Sequence, residues 1–407
     1  MSEERPSSSG GFAKGLITGI VATFIAAVIF GAVFLKDLSG GAITLGSISK
    51  LGKIDKLIEE NFYEPVDENA LIEGMYKGLV QGLGDKYSIY FTKEEAAKAE
   101  EETTGNFVGI GVVISTIGDP GEKKIKTVYE DSPAQEAGLL RGDIMIGVGD
   151  TDVTGLTLSD TTDLLQGESG TSVTIKVLRN GEEKSFDVTR RKVTTPSVFA
   201  TMLDKGVGYL RISEFNSGTA RSFREAISKL KESGMTSIIY DLRHNPGGLV
   251  DEVVAVLDEI LPKGTVVYTL DNKGKREDRV SDDEHVIDIP SVVLVDEKSA
   301  SSSEIFTGAM KDFKAATIVG KKTYGKGIVQ FTYPLSDGSR IELTQQKYFT
   351  PNGNDIHGKG IEPDIEVDYS YTGDVEALKE KYEDEYTLSD YLGDSQLNKA
   401  YSILTEK

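Results

Sequence analysis

Cysteine is absent from the 407 residues. That excludes disulfides, thiolate zinc sites, a cysteine nucleophile and a lipid-modified N-terminal cysteine, and it leaves the redox compartment open. Histidine is scarce. His244, His285 and His357 are the only three, too few for a histidine-rich metal site. Positive charge is in deficit: 45 Lys and Arg stand against 66 Asp and Glu, a formal net charge of −21. A chain this acidic is a poor generic ligand for nucleic acid or anionic lipid. The length allows roughly two or three domains of about 150 residues each.

Long hydrophobic runs are equally rare, with one exception near the N-terminus. GLITGIVATFIAAVIFGAVFL, Gly15 to Leu35, carries no charge and is bracketed by Lys14 and Lys36. At about 1.5 Å per residue such a helix is roughly 31 Å long, one hydrocarbon core. The apolar part of a cleaved signal peptide would be about 7–15 residues, so the run predicts an uncleaved single-pass anchor. Flanking charge orients it weakly: Arg5 and Lys14 precede it, and Lys36, Lys50, Lys53 and Lys56 follow. A long domain translocates largely regardless of charge. The expectation is a short cytoplasmic tail at 1–14, an anchor at 15–35 and a globular part outside the cell membrane.

Residues 36–50, with DLSGGAITLG, read as a linker. From 51 to 105 the pattern is helical. LGKIDKLIEENFY places Leu51, Ile54, Leu57 and Ile58 on one stripe, and ENALIEGMYKGLVQGL does the same with Leu71, Met75, Leu79 and Leu83. These helices are too short to form a domain alone and are expected to pack on a later part of the chain. Residues 106–190 are rich in glycine and short β-branched runs (FVGIGVVIS, KIKTVY, DIMIGVG, SVTIKVLR, KSFDVTR) with two short helical patterns between them. They describe a compact, mostly β module. Residues 191–370 alternate strand and helix: GYLRI, GTARSFREAISKLKESG with Phe223, Ile227 and Leu230 on one face, SIIYDL, LVDEVVAVLDEIL, SVVLVD and SSSEIFTGAMKDF. ATIVG, IVQFTY and RIELTQQKYF close the set, and the alternation predicts an α/β layered fold. Residues 371–407 read as a charged helical arm, suited to packing or to a homodimer.

In α/β folds sites form where strand C-terminal ends turn into helices. DLRHNPGG and DEKSASSSE occupy such junctions. The second holds Ser299, Ser301, Ser302 and Ser303. A serine there can act as a nucleophile, with helix N-terminal N–H groups to hold an oxyanion. Ser301 and Glu304 also read as an S-x-x-E capping box, whose ordinary work is to start a helix. A nucleophile needs a base. His357 is one choice, in a loop without an evident orienting carboxylate. Lys326 is the other, within GKKTYGKG. That stretch has the spacing of a phosphate-binding loop, but Gly327 stands where Ser or Thr would hold magnesium, and IVQFTYPL reads as a strand where a helix is required. A nucleotide-hydrolase reading therefore fails. A lysine base must be neutral, and burial in a glycine-walled pocket depresses an amine. On a strand Lys326, Ile328 and Gln330 share a face, so Gln330 can orient the amine without adding charge. Lys326 taken alone also reads as a surface lysine in a turn.

Taken together, DLRHNPGGLVDE, DEKSASSSEIFTGAMKD, GKKTYGKGIVQ and TPNGNDIHGKGIEPD resemble, in order, the signature of the C-terminal (tail-specific) processing peptidases. VGIGV, SPAQEAGLLRGD and TLSDTTDLL resemble the PDZ domain such peptidases carry. The resemblance implies an α/β peptidase core with an inserted mostly-β PDZ domain, preceded here by one transmembrane helix. It implies a serine endopeptidase in which Ser301 is the nucleophile, Lys326 the base and Gln330 its partner. Oxyanion donors would be the N–H of Ser302 and one from Gly247 or Gly248. Ser302 stands where the family usually has Ala. His357 falls in a family loop without a catalytic role. Gly109, Ile110, Gly111 and Val112, with the segment near Asp160 to Gln166, would bind an apolar C-terminal tail by strand addition. No metal, organic cofactor or nucleic-acid partner is implied, and a homodimer is. The rival reading is an inactive, membrane-tethered PDZ adaptor on a dead peptidase scaffold.

Overall fold

The computed structural model describes residues 41–117, 121–375, 378 and 386–406. The predicted anchor, Gly15 to Leu35, lies outside them. Among the described residues no helix is long and apolar enough to cross a membrane. The chain divides between Met75 and Tyr76 into two units. The first contains α1 (Leu45–Asn61) and the start of α2 (Glu68–Gln81). Helix α1 begins inside the stretch expected to be linker. The reason is a reciprocal cap: Thr44 Oγ1 accepts the Ser47 N–H at 3.2 Å and Ser47 Oγ accepts the Thr44 N–H at 2.7 Å, which satisfies two orphan donors. Within its own unit α1 buries no residue.

The second unit opens with β1 (Ile89–Phe91) and α3 (Lys93–Thr104), then the mostly β module. Strand β2 (Asn106–Gly109) leads into it. Next come β3 (Val112–Ile117), β4 (Glu122–Val128), α4 (Pro133–Ala137), β5 (Ile144–Val148), β6 (Thr151–Asp152), α5 (Leu158–Leu165), β7 (Ser172–Arg179) and β8 (Glu182–Thr189), and β9 (Arg191–Thr194) leaves it. The sheet order is β3-β4-β5-β7-β8, with β6 on β5, while β2 and β9 pair separately as a neck. Alternate residues Val173, Ile175 and Val177 of β7 point inward with Ile125, Met145 and Leu139 to form a core of the module's own.

The strand–helix part contributes β10 (Val198–Met202), β11 (Val207–Ile212), α6 (Thr219–Glu232), β12 (Ser237–Asp241) and α7 (Val250–Asp258). It continues through β13 (Gly264–Asp271), β14 (Arg276–Ser281), β15 (Ser291–Val295), α8 (Ser302–Asp312), β16 (Thr317–Gly320), β17 (Ile328–Pro334), β18 (Arg340–Phe349) and β19 (Ile365–Glu366). Helices α9 (Leu388–Leu392) and α10 (Ser395–Thr405) follow. The main sheet runs β10-β11-β12-β15-β16-β19, parallel from β11 onward, with β10 antiparallel at one edge. Parallel strands need both faces covered, and the alternation shows how. Leu210, Ile212, Ile238, Tyr240, Val293 and Val295 face one cluster with Phe223, Ile227 and Leu230 of α6. Tyr209, Ile239, Val292, Leu294 and Val319 face the other, against Leu397, Ala400 and Tyr401 of α10. The C-terminal arm is thus a packing element.

IVQFTY and RIELTQQKYF do not extend the main sheet. They are β17 and β18, a hairpin in a second, antiparallel sheet ordered β1-β18-β13-β14 with β17 on β18. The β17–β18 register closes through a short turn holding Asp337 and Gly338, so the two strands satisfy one another. Their sheet stands over the serine junction and carries Lys326 at its entrance.

Leu397 is 2 % exposed beneath the main sheet. Leu397→Ala is expected to lower the unfolding free energy by about 2–5 kcal/mol, read as a lower denaturant midpoint at an unchanged m-value.

Candidate active site

Strand β15 ends at Val295, and the next residues turn sharply into α8. Asp296 Oδ1 accepts the N–H groups of Lys298 and Ser299 at 3.0 Å each. Three of the four serines that follow are fully buried, with hydroxyls directed at main-chain carbonyls. Ser299 Oγ donates to Leu242 O at 2.8 Å, Ser302 Oγ to Gly248 O at 2.8 Å and Ser303 Oγ to Asn245 O at 3.0 Å. Ser301 alone is partly exposed. Its backbone, at φ 53° and ψ −115°, lies where L-residues are strained, the posture of a serine lifted out of a strand-to-helix turn.

Glu304, fully buried on the first turn of α8, holds this posture. Its Oε2 accepts the N–H of Ser301 at 3.0 Å and the N–H of Lys326 at 2.8 Å. Its Oε1 accepts the Gly325 N–H at 2.7 Å and the Thr323 hydroxyl at 2.6 Å. Burial raises the carboxyl above the ordinary range, against the pull of those four donors. From β18 the Tyr348 hydroxyl donates to Ser301 O at 3.0 Å and also meets Lys326 O. One carboxylate and one phenol therefore span Ser301 and Lys326. The S-x-x-E pattern marked Glu304 as a helix cap; it signalled only half of what the residue does. Tyr348 gave no signal.

The Lys326 amine lies 5.2 Å from the centroid of the Tyr87 ring. Burial depresses its pKa, the Glu342 carboxylate and Tyr324 oppose that, and the nearby Lys86 ammonium adds to it; the net direction is down. Among the described residues no hydrogen bond joins Lys326 Nζ to Ser301 Oγ or to Gln330, whose Nε2 donates to Thr344 Oγ1 at 3.1 Å. The structure thus joins the two main chains and leaves the side chains unbonded to one another. His357 sits edge-on to Tyr87, centroids 6.4 Å apart. The loop carrying Tyr87 was not singled out in the sequence. Asp85 shapes it by accepting the Tyr87 N–H at 3.1 Å and the Ser88 hydroxyl at 2.7 Å, and Ser88 Oγ accepts the Thr344 N–H at 3.1 Å.

The turn after β12 approaches Ser301 from the other side. A Cβ on Gly247 would stand 2.7 Å from Ser301 Cβ and 2.9 Å from Ser302 N, at φ 109°, so only glycine fits. The Gly247 N–H donates to Asn245 Oδ1 at 2.8 Å. The N–H groups of Gly248 and Ser302 meet no acceptor among the described residues. Arg243 anchors the turn. It pairs with Asp241 and with Asp394, each at 2.6 Å, and Asp394 caps α10.

In the β module, Gly109 ends β2 and Val112 begins β3, with Ile110 buried between them. Ile110 O accepts the Ala134 N–H at 2.8 Å and Gly111 O the Tyr129 N–H at 3.0 Å. The N–H groups of Ile110 and Gly111 meet no acceptor among the described residues. A Cβ on Gly111, at φ 80°, would strike Ser132 Cβ at 2.4 Å. Helix α5 packs beside β3.

A model of peptidase family S41 matches residues 206–367, a PDZ domain model residues 124–179, and a model of the activating protease CtpB N-terminal domain residues 36–95. A probable CtpA-like serine protease of Staphylococcus aureus (strain COL) is 34 % identical over 362 residues, 88 % of this chain and 72 % of that protein. The chain belongs to peptidase family S41. A similarly named protease of Staphylococcus epidermidis is 37 % identical over 326 residues, 79 % of this chain and 65 % of that one. Among solved structures, the photosystem II D1 C-terminal processing protease is 30 % identical with a TM-score of 0.47, covering 78 % of this chain and 86 % of its own. The peptidase is therefore a serine peptidase with a PDZ domain, and the α/β core with an inserted β module is the fold on which it works.

Two outcomes test the site's physics. Glu304→Gln leaves one acceptor oxygen for four donors and turns an NH2 toward them; the unfolding free energy is expected to drop by about 1–3 kcal/mol, with cleavage impaired. Lys326→Met removes an amine whose folded pKa lies below its unfolded value near 10.5. Such a group subtracts from stability below its folded pKa, and the subtraction vanishes above the unfolded one. The variant should therefore outlast wild type in denaturant at neutral pH, with the difference shrinking toward pH 10.5.

Proposed function

We propose that the peptidase is a membrane-anchored endopeptidase that captures apolar C-terminal tails in its PDZ domain and cleaves with a Ser301–Lys326 dyad. The observation that carries the dyad is the Glu304 carboxylate, which accepts the N–H groups of both residues through a single oxygen. Ser301 Oγ attacks the scissile carbonyl carbon while Lys326 Nζ takes its proton. The N–H groups of Ser302 and Gly248 receive the oxyanion; Gly247, engaged by Asn245, shapes the turn. Collapse of the tetrahedral intermediate breaks the C–N bond, and the proton on Lys326 passes to the leaving amine. Water, deprotonated by the same amine, then attacks the acyl carbon; the bond to Ser301 Oγ breaks and Lys326 returns the proton to Oγ. Gln330, steadied by Thr344, orients the amine through its amide oxygen. Hydrogen bonds of this kind often tighten only with substrate in place.

In the PDZ domain the N–H groups of Ile110 and Gly111 receive a terminal carboxylate while the tail adds a strand beside β3, between Gly109 and Val112 on one side and α5 on the other. The apolar run Gly15 to Leu35 holds the peptidase in the cell membrane, with the catalytic part outside the cytoplasm. The helical stripe Leu45, Ile48, Leu51, Ile54 and Leu57 on α1 offers the seam of a homodimer.

The test is an unstructured protein ending in an apolar tail, incubated with wild type, Ser301→Ala and Lys326→Met. Each substitution should reduce cleavage by at least about 1,000-fold while tail binding persists. Undiminished proteolysis in either variant, or Ser301 and Lys326 far apart in a substrate-bound state, would end this reading.

A further inference from the structure

Lys86 has no part in the chemistry above, yet it stands next to the base. It is exposed. Its ammonium donates to the Tyr324 hydroxyl at 3.2 Å and lies 4.7 Å from the centroid of the Tyr87 ring. The same ring carries the Lys326 amine at 5.2 Å. One aromatic side chain therefore serves two amines. A ring attracts cations through its quadrupole, but two cations on one ring repel each other. The amine that stays in water keeps its charge more cheaply, and that amine is Lys86.

We propose that Lys86 is a positioning residue for peptide cleavage: its fixed charge, presented beside the Tyr87 ring, disfavours the ammonium form of Lys326 and keeps the base ready to accept a proton. The proposal rests on the dyad reading. The remaining groups around Lys326 do not supply this effect. Glu342, from β18, pulls the other way. Glu304 holds main-chain N–H groups, and Tyr348 meets the Lys326 carbonyl rather than its amine. Tyr324 anchors Lys86. His357 touches the edge of Tyr87, and Asp85 is engaged by the Tyr87 N–H and the Ser88 hydroxyl. Among these groups Lys86 is the one permanent cation.

The experiment is the pH dependence of kcat/KM for full-length wild type, Lys86→Met and Lys86→Arg, with the same apolar-tailed substrate and Lys326→Met as a control. In Lys86→Met the acid limb should move to higher pH, so that the rate at pH 7 falls about 2–5-fold, with the deficit narrowing as pH rises. Lys86→Arg should keep the wild-type limb. Salt at about 1 M should carry the wild-type limb toward that of Lys86→Met, because the interaction crosses a solvent-exposed gap. An unmoved limb in Lys86→Met, or an equal fractional loss at every pH, would show a mere strut for Tyr324 and overturn the proposal. Cleavage surviving in Lys326→Met would overturn the dyad and this proposal with it. Cleavage lost there, with no limb shift in Lys86→Met, would overturn the role of Lys86 alone.

Discussion

One buried carboxylate organises the active site. Among the described residues no cation neutralises Glu304; it is satisfied by four donors, three from the main chain and one from Thr323. Because two of those donors belong to Ser301 and Lys326, the turn after β15 and the loop leading into β17 are fixed relative to one another through their main chains. Side-chain motion can then occur without loss of the frame. Tyr348 repeats the link from the opposite direction through the carbonyls. The strained backbone of Ser301 persists because both its N–H and its C=O are held, which is the condition under which strain survives in a folded protein.

The second constraint is electrostatic. In the proposed dyad a lysine base has to be buried enough to lose its proton and open enough to meet a substrate. Here the amine is partly covered by Tyr87, with Glu342 and Lys86 acting in opposite directions. The buried Glu304 carboxylate is taken up by main-chain N–H groups and the Thr323 hydroxyl. The site is poised by partial coverage rather than by a dedicated counter-charge.

Much of the architecture was legible because it follows from periodicity. The stripe Phe223, Ile227 and Leu230 reads as one face of a helix, and SIIYDL and SVVLVD read as apolar strands. The two strand-to-helix junctions announced themselves by their glycines and serines. What escaped was long-range. Nothing local says that RIELTQQKYF leaves the main sheet, since register and partner depend on β1 and β13 far away in the chain. Tyr87 and Tyr348 reach the site only through that second sheet, so no spacing in the sequence points to them. Glu304 was visible, but its pattern has a commoner meaning, and the local rule identified the cap while missing the tie to Lys326. Helix α1 started early because a Thr–Ser pair closed a cap that resembles linker composition.

The pairing of Arg243 with Asp394 couples parts of the chain separated by 151 positions. During synthesis the turn that presents Gly248 emerges long before the carboxylate that steadies its arginine. A polypeptide interrupted ahead of Asp394 would carry Ser301, Lys326 and Glu304 intact and yet hold a buried guanidinium with one counter-ion missing. The turn after β12 is therefore held from both ends of the catalytic-core sequence, by a neighbour two residues away and by a residue of the C-terminal arm.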